Sequence, residues 1–336
     1  RCPAGCPGHA QVADLSTPAL KVTNLSVWFE KGSERLTVVD QISFSIEAGD
    51  VTGLVGESGC GKTMTAMAIL GLLSTPGIKV RSDGIEVNGS DISKLTTAGR
   101  RLVLGRDIAM IFQQPATALD PVFTIGQQIS AVYRRHGIGD KQQARKNMLE
   151  ALESVGFRDA GDIAASYPHE LSGGMRQLTM IPMATVCKQA VIIADAPTTA
   201  LDNSTRALIL ERLQHLQKLH RAAILFISHD LAVVRHICKD VLVMYCGRLI
   251  ESTDCQNLFS HARHPYSAGL LSCIPQISGE RPPAIQSIPG QLPPLTDLPA
   301  GCHFAPRCNR VEAKCRTSVP ALDYENGRGA ACFRPL

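Results

Sequence analysis

Residues 56–63 read Gly56-Glu57-Ser58-Gly59-Cys60-Gly61-Lys62-Thr63, a complete G-x-x-x-x-G-K-[ST] pattern. The apolar run Val51 to Val55 precedes it and the segment Met64 to Leu73 follows, which predicts a strand, a loop and a helix in succession. Glycines allow the backbone to curl until several N–H groups point at one phosphate chain, and the following helix adds partial positive charge at its N-terminus. Every position from Gly56 to Thr63 is therefore a candidate nucleotide contact. Lys62 is placed to reach the β- and γ-phosphates and the Thr63 hydroxyl to ligate Mg²⁺.

Working outward, Ala19 to Phe29 and Leu36 to Ile46 alternate apolar and polar residues, as antiparallel strands do. Gly84 to Gly89 reads as a short strand ending in an Asn-Gly turn, and Asp107 to Phe112 as another strand. From Gln127 to Val155 the apolar residues fall at helical spacing. Val191 to Asp195, Ala223 to Ser228 and Asp240 to Met244 are continuous apolar strands alternating with helices at Ser204 to His220 and Leu231 to Cys238. That alternation predicts a parallel sheet covered on both faces. After about Ser260 prolines and glycines become dense and no long periodic segment is expected, so a boundary is placed near His261. The expected organisation is a flexible leader over residues 1–18, a nucleotide-binding domain over 19–260 with a helical subdomain at about 115–185, and an extension over 261–336.

The chain has 336 residues, 44% of them hydrophobic, and 34 Lys and Arg against 30 Asp and Glu, a net charge of +4. Such a balance does not suit a protein whose affinity comes from neutralising nucleic-acid phosphates. The longest apolar runs fall far below the roughly 18–20 residues that span a bilayer. Of the 12 cysteines, Cys60, Cys187, Cys238, Cys246, Cys255 and Cys273 are scattered singly and read as plain thiols. Four crowd the C-terminus. Where ATP is plentiful and thiols stay reduced, a metal suits such a cluster better than disulfides.

Four further strings follow the loop in order: Ile111-Phe112-Gln113-Gln114-Pro115, Leu171-Ser172-Gly173-Gly174-Met175-Arg176-Gln177, Val191-Ile192-Ile193-Ala194-Asp195-Ala196-Pro197-Thr198 and Ile227-Ser228-His229-Asp230. With the loop, the set resembles the ATP-binding-cassette (ABC) ATPases over roughly Leu20 to Ser260. The resemblance implies an α/β fold: a phosphate-loop ATPase core with an antiparallel β-subdomain and a helical subdomain. Asp195, ending a buried strand where a carboxylate is costly without a cation, is expected on Mg²⁺. By the resemblance, Gln113 contacts Mg²⁺ and the attacking water, His229 contacts the γ-phosphate, and Phe29, with Trp28 the alternative, stacks on adenine. Ser172, Gly173 and Gly174 precede a helix and serve the nucleotide of a partner subunit, while Leu201-Asp202 crosses the subunit interface.

Ala196 departs from the family pattern. Hydrolysing members carry there a Glu that polarises water, help worth about 10²–10⁴ in rate. A methyl group accepts no proton, so ATP binding is expected to survive and hydrolysis to be impaired, whether the residue was altered or belongs to a degenerate site beside a competent partner. Pro182, inside the helix after Ser172-Gly173-Gly174, is expected to kink or end it.

His264-Pro265-Tyr266-Ser267, Leu270-Leu271 and Ile274-Pro275 resemble the segment after the ATPase core in dipeptide, oligopeptide and nickel importers. Gly301-Cys302 to Cys308, then Cys315 and Cys332, strengthen the likeness. The spacing is looser than that of common structural zinc sites, and all-thiolate ligation suits iron and sulfide. Resemblance to the peptide permeases implies a [4Fe–4S] cluster on Cys302, Cys308, Cys315 and Cys332, with Zn²⁺ the alternative. The implied partners are a second ATPase subunit, two integral membrane permease subunits and an extracytoplasmic binding protein, with the chain at the cytoplasmic face of a bacterial membrane. Three other readings stay open: a non-catalytic regulatory or assembly subunit that holds ATP, an importer ATPase for nickel or another small solute, and a soluble ABC protein acting on nucleic acid or ribosomes.

Overall fold

The computed structural model describes residues 17–32, 34–199, 201–274 and 287–336. The leader expected over residues 1–18 thus falls outside the described residues apart from Thr17 and Pro18, and Pro275 does so too.

Two sheets carry the fold. In the first, Leu20–Lys31 pairs antiparallel with Glu34–Ile46, Ile78–Arg81 and Gly84–Val87, and Ser90–Asp91 closes the far edge. The alternation read from the sequence is visible at its end, where Ile42, Phe44 and Ile46 are buried and Gln41, Ser43 and Ser45 are exposed. The second sheet runs in the order Asp323–Glu325, Arg328–Ala330, Arg248–Asp254, Asp240–Tyr245, Val51–Val55, Ala223–Ser228, Val191–Asp195 and Ile108–Ile111. From Asp240–Tyr245 to Ile108–Ile111 neighbouring strands are parallel. Their side chains alternate between two cores: Val55, Ile192, Ala194, Ile224 and Phe226 feed one, and Leu54, Val191, Ile193, Leu225 and Ile227 the other. Burial on both faces explains why these strands read as unbroken apolar runs. The phosphate loop leaves the carboxyl end of Val51–Val55, where open parallel sheets take their ligands.

Between the last two sheet strands lies the helical region. Thr124 and Gln127 close a capping box on helix Ile125–Arg135, and Asp140 caps helix Lys141–Ser154, which buries Ala144, Met148 and Leu152 one turn apart. Helix Gly173–Thr185 does not end at Pro182 but continues through it to Thr185. Pro182 forfeits one backbone hydrogen bond, but its ring is buried, and the Thr185 hydroxyl donates to the Ile181 carbonyl at 2.8 Å.

The extension packs on the main sheet. Arg328–Ala330 pairs with Arg248–Asp254, so the hairpin it forms with Asp323–Glu325 lengthens that sheet. The region also contains a helix, Pro265–Ser272, that periodicity did not reveal, because its sequence PYSAGLLS shows no polar stripe.

Candidate nucleotide-binding site

Gly56 and Gly61 show what the loop needs from glycine. Both have positive φ, +154° and +111°; a Cβ at Gly56 would strike the Met244 carbonyl, and one at Gly61 would lie 2.8 Å from the Val38 carbonyl. Gly61 also caps helix Lys62–Leu70, whose Thr65 donates from its hydroxyl to the Gly61 carbonyl at 3.0 Å. The Lys62 ammonium donates to the carbonyls of Gly56 and Glu57, each at 2.8 Å. Cys60 beneath is 1% exposed, and burial pushes its thiol up.

A cavity of about 200 Å³ opens over the loop and gathers residues from four strand ends. Lys62, Thr63, Gln113, Asp195, Ala196 and His229 line it together with Ser58, Gly59 and Gly61. Gly56, Glu57 and Cys60 are not among its lining residues. A larger cavity of about 850 Å³ lies between the antiparallel layer, Arg248–Asp254 and the extension, and contains none of these groups. The site is assigned to the smaller one, because only there do an ammonium, a helix N-terminus and a buried carboxylate meet.

Asp195 is 2% exposed at the end of Val191–Asp195. Burial pushes its carboxyl up, opposed by the Thr63 hydroxyl hydrogen bond and the Lys62 charge. A buried carboxylate with a hydroxyl beside it is a donor set that fits Mg²⁺. Ala196 adopts φ +45°, a left-handed conformation costing a non-glycine residue roughly 1–2 kcal/mol, with its N–H on the Ile227 carbonyl at 2.9 Å. Ala196 lines the same cavity. Gln113 and His229 are exposed, each one or two residues beyond a strand.

The other expected contacts lie outside the cavity. Ser172 caps helix Gly173–Thr185, accepting from the Met175 N–H at 3.3 Å, and is exposed with Gly173. Gly174 packs so closely that a Cβ would lie 2.8 Å from Thr205. Asp202 caps helix Asn203–His220; hydrogen bonds from Ser204 and Thr205 hold its carboxyl well below the usual range. Phe29 is half-buried against the core of the antiparallel layer and does not line the cavity. Trp28 carries Arg35 over its ring at 3.9 Å.

Cys302, Cys308, Cys315 and Cys332 surround one small cavity of about 20 Å³ with His264 and Phe304. Backbone N–H groups of Arg310 and Arg334 approach the Cys308 and Cys332 sulfurs at 3.4 Å. The four thiols nevertheless stay apart: among the described residues no group of three or more His, Cys, Asp or Glu side chains is placed to hold a metal ion. A metal-holding geometry at these four positions is thus not found. The thiols themselves are free.

Comparison with known proteins gives the family and the fold. The family described as "ABC transporter" matches residues 39–199, and "Oligopeptide/dipeptide transporter, C-terminal region" matches residues 250–315. The oligopeptide transport ATP-binding protein AppD of Bacillus subtilis (strain 168) is 42% identical over 315 residues, 94% of this chain and 96% of that protein. The chain belongs to the ABC transporter family. Within it, the dipeptide transport ATP-binding protein DppD of Escherichia coli (strain K12) is 40% identical over 318 residues, 94% of this chain and 97% of that protein. The fold is that of ABC cassettes: the dimeric cassette MJ0796 with ADP and Pi aligns with a TM-score of 0.63 at 22% identity, covering 70% of this chain and 98% of that one. CbiO1 of Clostridium perfringens, part of the ABC transporter complex cbiONQ, aligns at 0.60 with 25% identity, covering 73% and 91%. ATP with Mg²⁺ is the expected ligand of an ABC ATPase. No helix among the described residues is long and apolar enough to cross a membrane.

Sequence reasoning missed what grips Glu57. Its N–H donates to the Tyr266 hydroxyl and its carboxylate accepts from Arg307, both in the extension. His264 was noted only as part of a resemblance; here it caps helix Pro265–Ser272, its Nδ1 accepting from the Tyr266 N–H at 3.0 Å. Glu251, 0% exposed, accepts from the backbone N–H groups of Arg263 and His264 at 2.7 and 2.8 Å. Glu251 stands at the middle of Arg248–Asp254, and no local pattern marks it as buried.

Proposed function

We propose that the chain is the ATP-binding subunit of an importer of di- or oligopeptides and that its own site holds ATP while hydrolysing it poorly. The observation that carries this is the composition of one cavity: Lys62, Thr63, Asp195, Gln113 and His229 line it, and at the position next to Asp195 there is only the Ala196 methyl. Lys62 and the loop N–H groups would bind the phosphates. Asp195 and Thr63, with Gln113 beside them, would hold Mg²⁺, which supplies charge neutralisation at the phosphates. His229 would hold a γ-phosphate oxygen, and Phe29 would lie against adenine.

Proton abstraction from water lacks its base. Gln113 and His229 orient what they touch, but neither replaces a carboxylate at 196. ATP would be closed in by Ser172, Gly173 and Gly174 of a second ATPase subunit, while the same residues of this chain, with Asp202 at the interface, serve the partner's site. Two permease subunits and an extracytoplasmic peptide-binding protein complete the machine, with this chain on the cytoplasmic face. The peptide cargo rests on the relatives, named for oligopeptide and dipeptide transport. Assembled transporter in proteoliposomes should take up labelled dipeptide in an ATP-dependent manner; uptake that persists when Lys62→Ala abolishes ATP binding would reject the assignment.

Ala196 also favours a second reading, a subunit that binds ATP for regulation or assembly and never turns over. Transport by complexes carrying Ala or Glu at 196 separates the two: equal transport favours the regulatory role. We further propose a [4Fe–4S] cluster on Cys302, Cys308, Cys315 and Cys332, with Zn²⁺ the alternative; four thiols around one cavity and N–H donors to two sulfurs support it, and the absence of converging geometry means that they would have to draw together. Brown protein with iron and acid-labile sulfide would support the cluster, and colourless protein containing zinc would replace it.

A further inference from the structure

Glu57, the second residue of the phosphate loop, is restrained at every polar group it has. Its N–H donates to the Tyr266 hydroxyl at 2.9 Å, its carbonyl accepts from Lys62 Nζ at 2.8 Å, and its carboxylate accepts from Arg307 through Nη1 to Oε2 at 2.8 Å and Nη2 to Oε1 at 2.9 Å. The Arg307 side chain is 6% exposed. Its Nε donates to the Pro289 carbonyl at 2.9 Å, and its guanidinium lies 5.8 Å from the Tyr245 ring and 6.0 Å from that of Phe304. Tyr266 is 0% exposed and meets the same two rings edge-on, centroids 4.6 and 5.4 Å away.

The extension has other fastenings to the core: Arg328–Ala330 pairs with Arg248–Asp254, and Glu251 grips the backbone of Arg263 and His264. The consequence of the Arg307 fork falls instead on the loop. A bidentate guanidinium–carboxylate pair fixes orientation as well as distance, and Glu57 sits immediately before the cavity-lining Ser58 and Gly59. Leu292 of the extension stands close to the loop, its Cδ2 3.9 Å from where a Cβ of Gly59 would be. Without Arg307 the carboxylate would keep part of its burial and lose its partner, and the loop would gain freedom at its first turn.

We propose that Arg307 and Tyr266 are positioning residues of the nucleotide site: through Glu57 they hold the phosphate loop in its ATP-accepting shape, which makes the C-terminal extension part of this chain's own ATP site. The inference rests on the reading of the loop as that site. Because hydrolysis is expected to be slow, binding is measured directly, by titrating MgATP into the full-length chain. Arg307→Met is expected to weaken MgATP about tenfold, Tyr266→Phe less, and Arg307→Lys to fall between Arg307→Met and the unsubstituted chain. Glu57→Gln combined with Arg307→Met is expected to be no weaker than Arg307→Met alone, since both break one interaction. Glu325→Gln, which removes an exposed carboxylate's pair with Arg263 in the same extension, serves as the control and should leave affinity unchanged.

A merely structural role would lower melting temperature without moving the affinity of the folded protein or giving rescue by lysine. Unchanged affinity in folded Arg307→Met, or full additivity with Glu57→Gln, overturns the positioning role. Should Arg307→Met not fold, Arg307→Lys and Tyr266→Phe decide in its place, and wild-type affinity in both overturns it. Failure of the unsubstituted chain to bind MgATP would instead overturn the reading of the loop, and the positioning role with it.

Discussion

Replacing Ala196 by Glu should restore the chemical step. The side chain at 196 lies in the cavity with Lys62, Thr63, Gln113, Asp195 and His229, and the space there is about 200 Å³, so a carboxylate has room to reach water near a γ-phosphate. The left-handed backbone at φ +45° is as costly for alanine as for glutamate, and strain does not oppose the exchange. A positioned general base contributes about 10²–10⁴ in rate, which is about 3–5.5 kcal/mol of barrier. MgATP affinity should change less than about threefold, since Lys62, Thr63 and the loop N–H groups are untouched. The new carboxyl would stand beside Asp195, itself pushed up by burial. Burial and like charge raise it as well, so turnover of Ala196→Glu should climb with pH as the base ionises. The assay is steady-state phosphate release by assembled transporter across a pH series. Turnover within threefold of the unsubstituted complex, with ATP still bound, would refute the argument that the missing base limits the rate.

Three other outcomes follow from the same contacts. Glu251→Ala leaves the buried His264 N–H and the part-buried Arg263 N–H without their acceptor, at up to about 1–3 kcal/mol each, and should lower the melting temperature by several degrees; Glu251→Gln should recover part of the loss. His264 is held by burial at a pKa of about 3, against about 6.5 unfolded. Below pH 6.5 the unfolded chain takes up a proton that the folded one refuses, so stability should fall by about 1.4 kcal/mol per pH unit from there towards pH 3; His264→Asn, which can still cap helix Pro265–Ser272, should remove that slope from denaturant titrations. Gly247 has φ +80° and faces the Val38 carbonyl closely, while donating its N–H to Cys60 of the loop at 2.9 Å. Gly247→Ala should cost more than about 2 kcal/mol and weaken MgATP, since Val38 lines the cavity.

The phosphate loop was legible because all of its information is local: eight adjacent residues and the strand and helix on either side. Asp195, Ala196, Gln113 and His229 were legible for a related reason, each standing at or just beyond the end of an apolar strand whose unbroken run marks a sheet buried on both faces. Arg307 and Tyr266 were not. They lie 250 and 209 residues from Glu57, in a proline-rich stretch where period carries no signal, and no charge pattern says which Glu an Arg will meet. The hairpin of Asp323–Glu325 and Arg328–Ala330 was missed because strands of three residues are too short to show alternation. At Pro182 a local rule predicted a kink or a break, and the helix, with the proline buried, continues to Thr185 without breaking.

The most direct test of an ATP-holding site without an effective base is the identity of the nucleotide that stays bound. Transporter assembled with this chain, loaded with labelled MgATP and stripped of excess after several turnover times, should retain at least one label per complex as ATP. Recovery of all bound label as ADP would contradict the account.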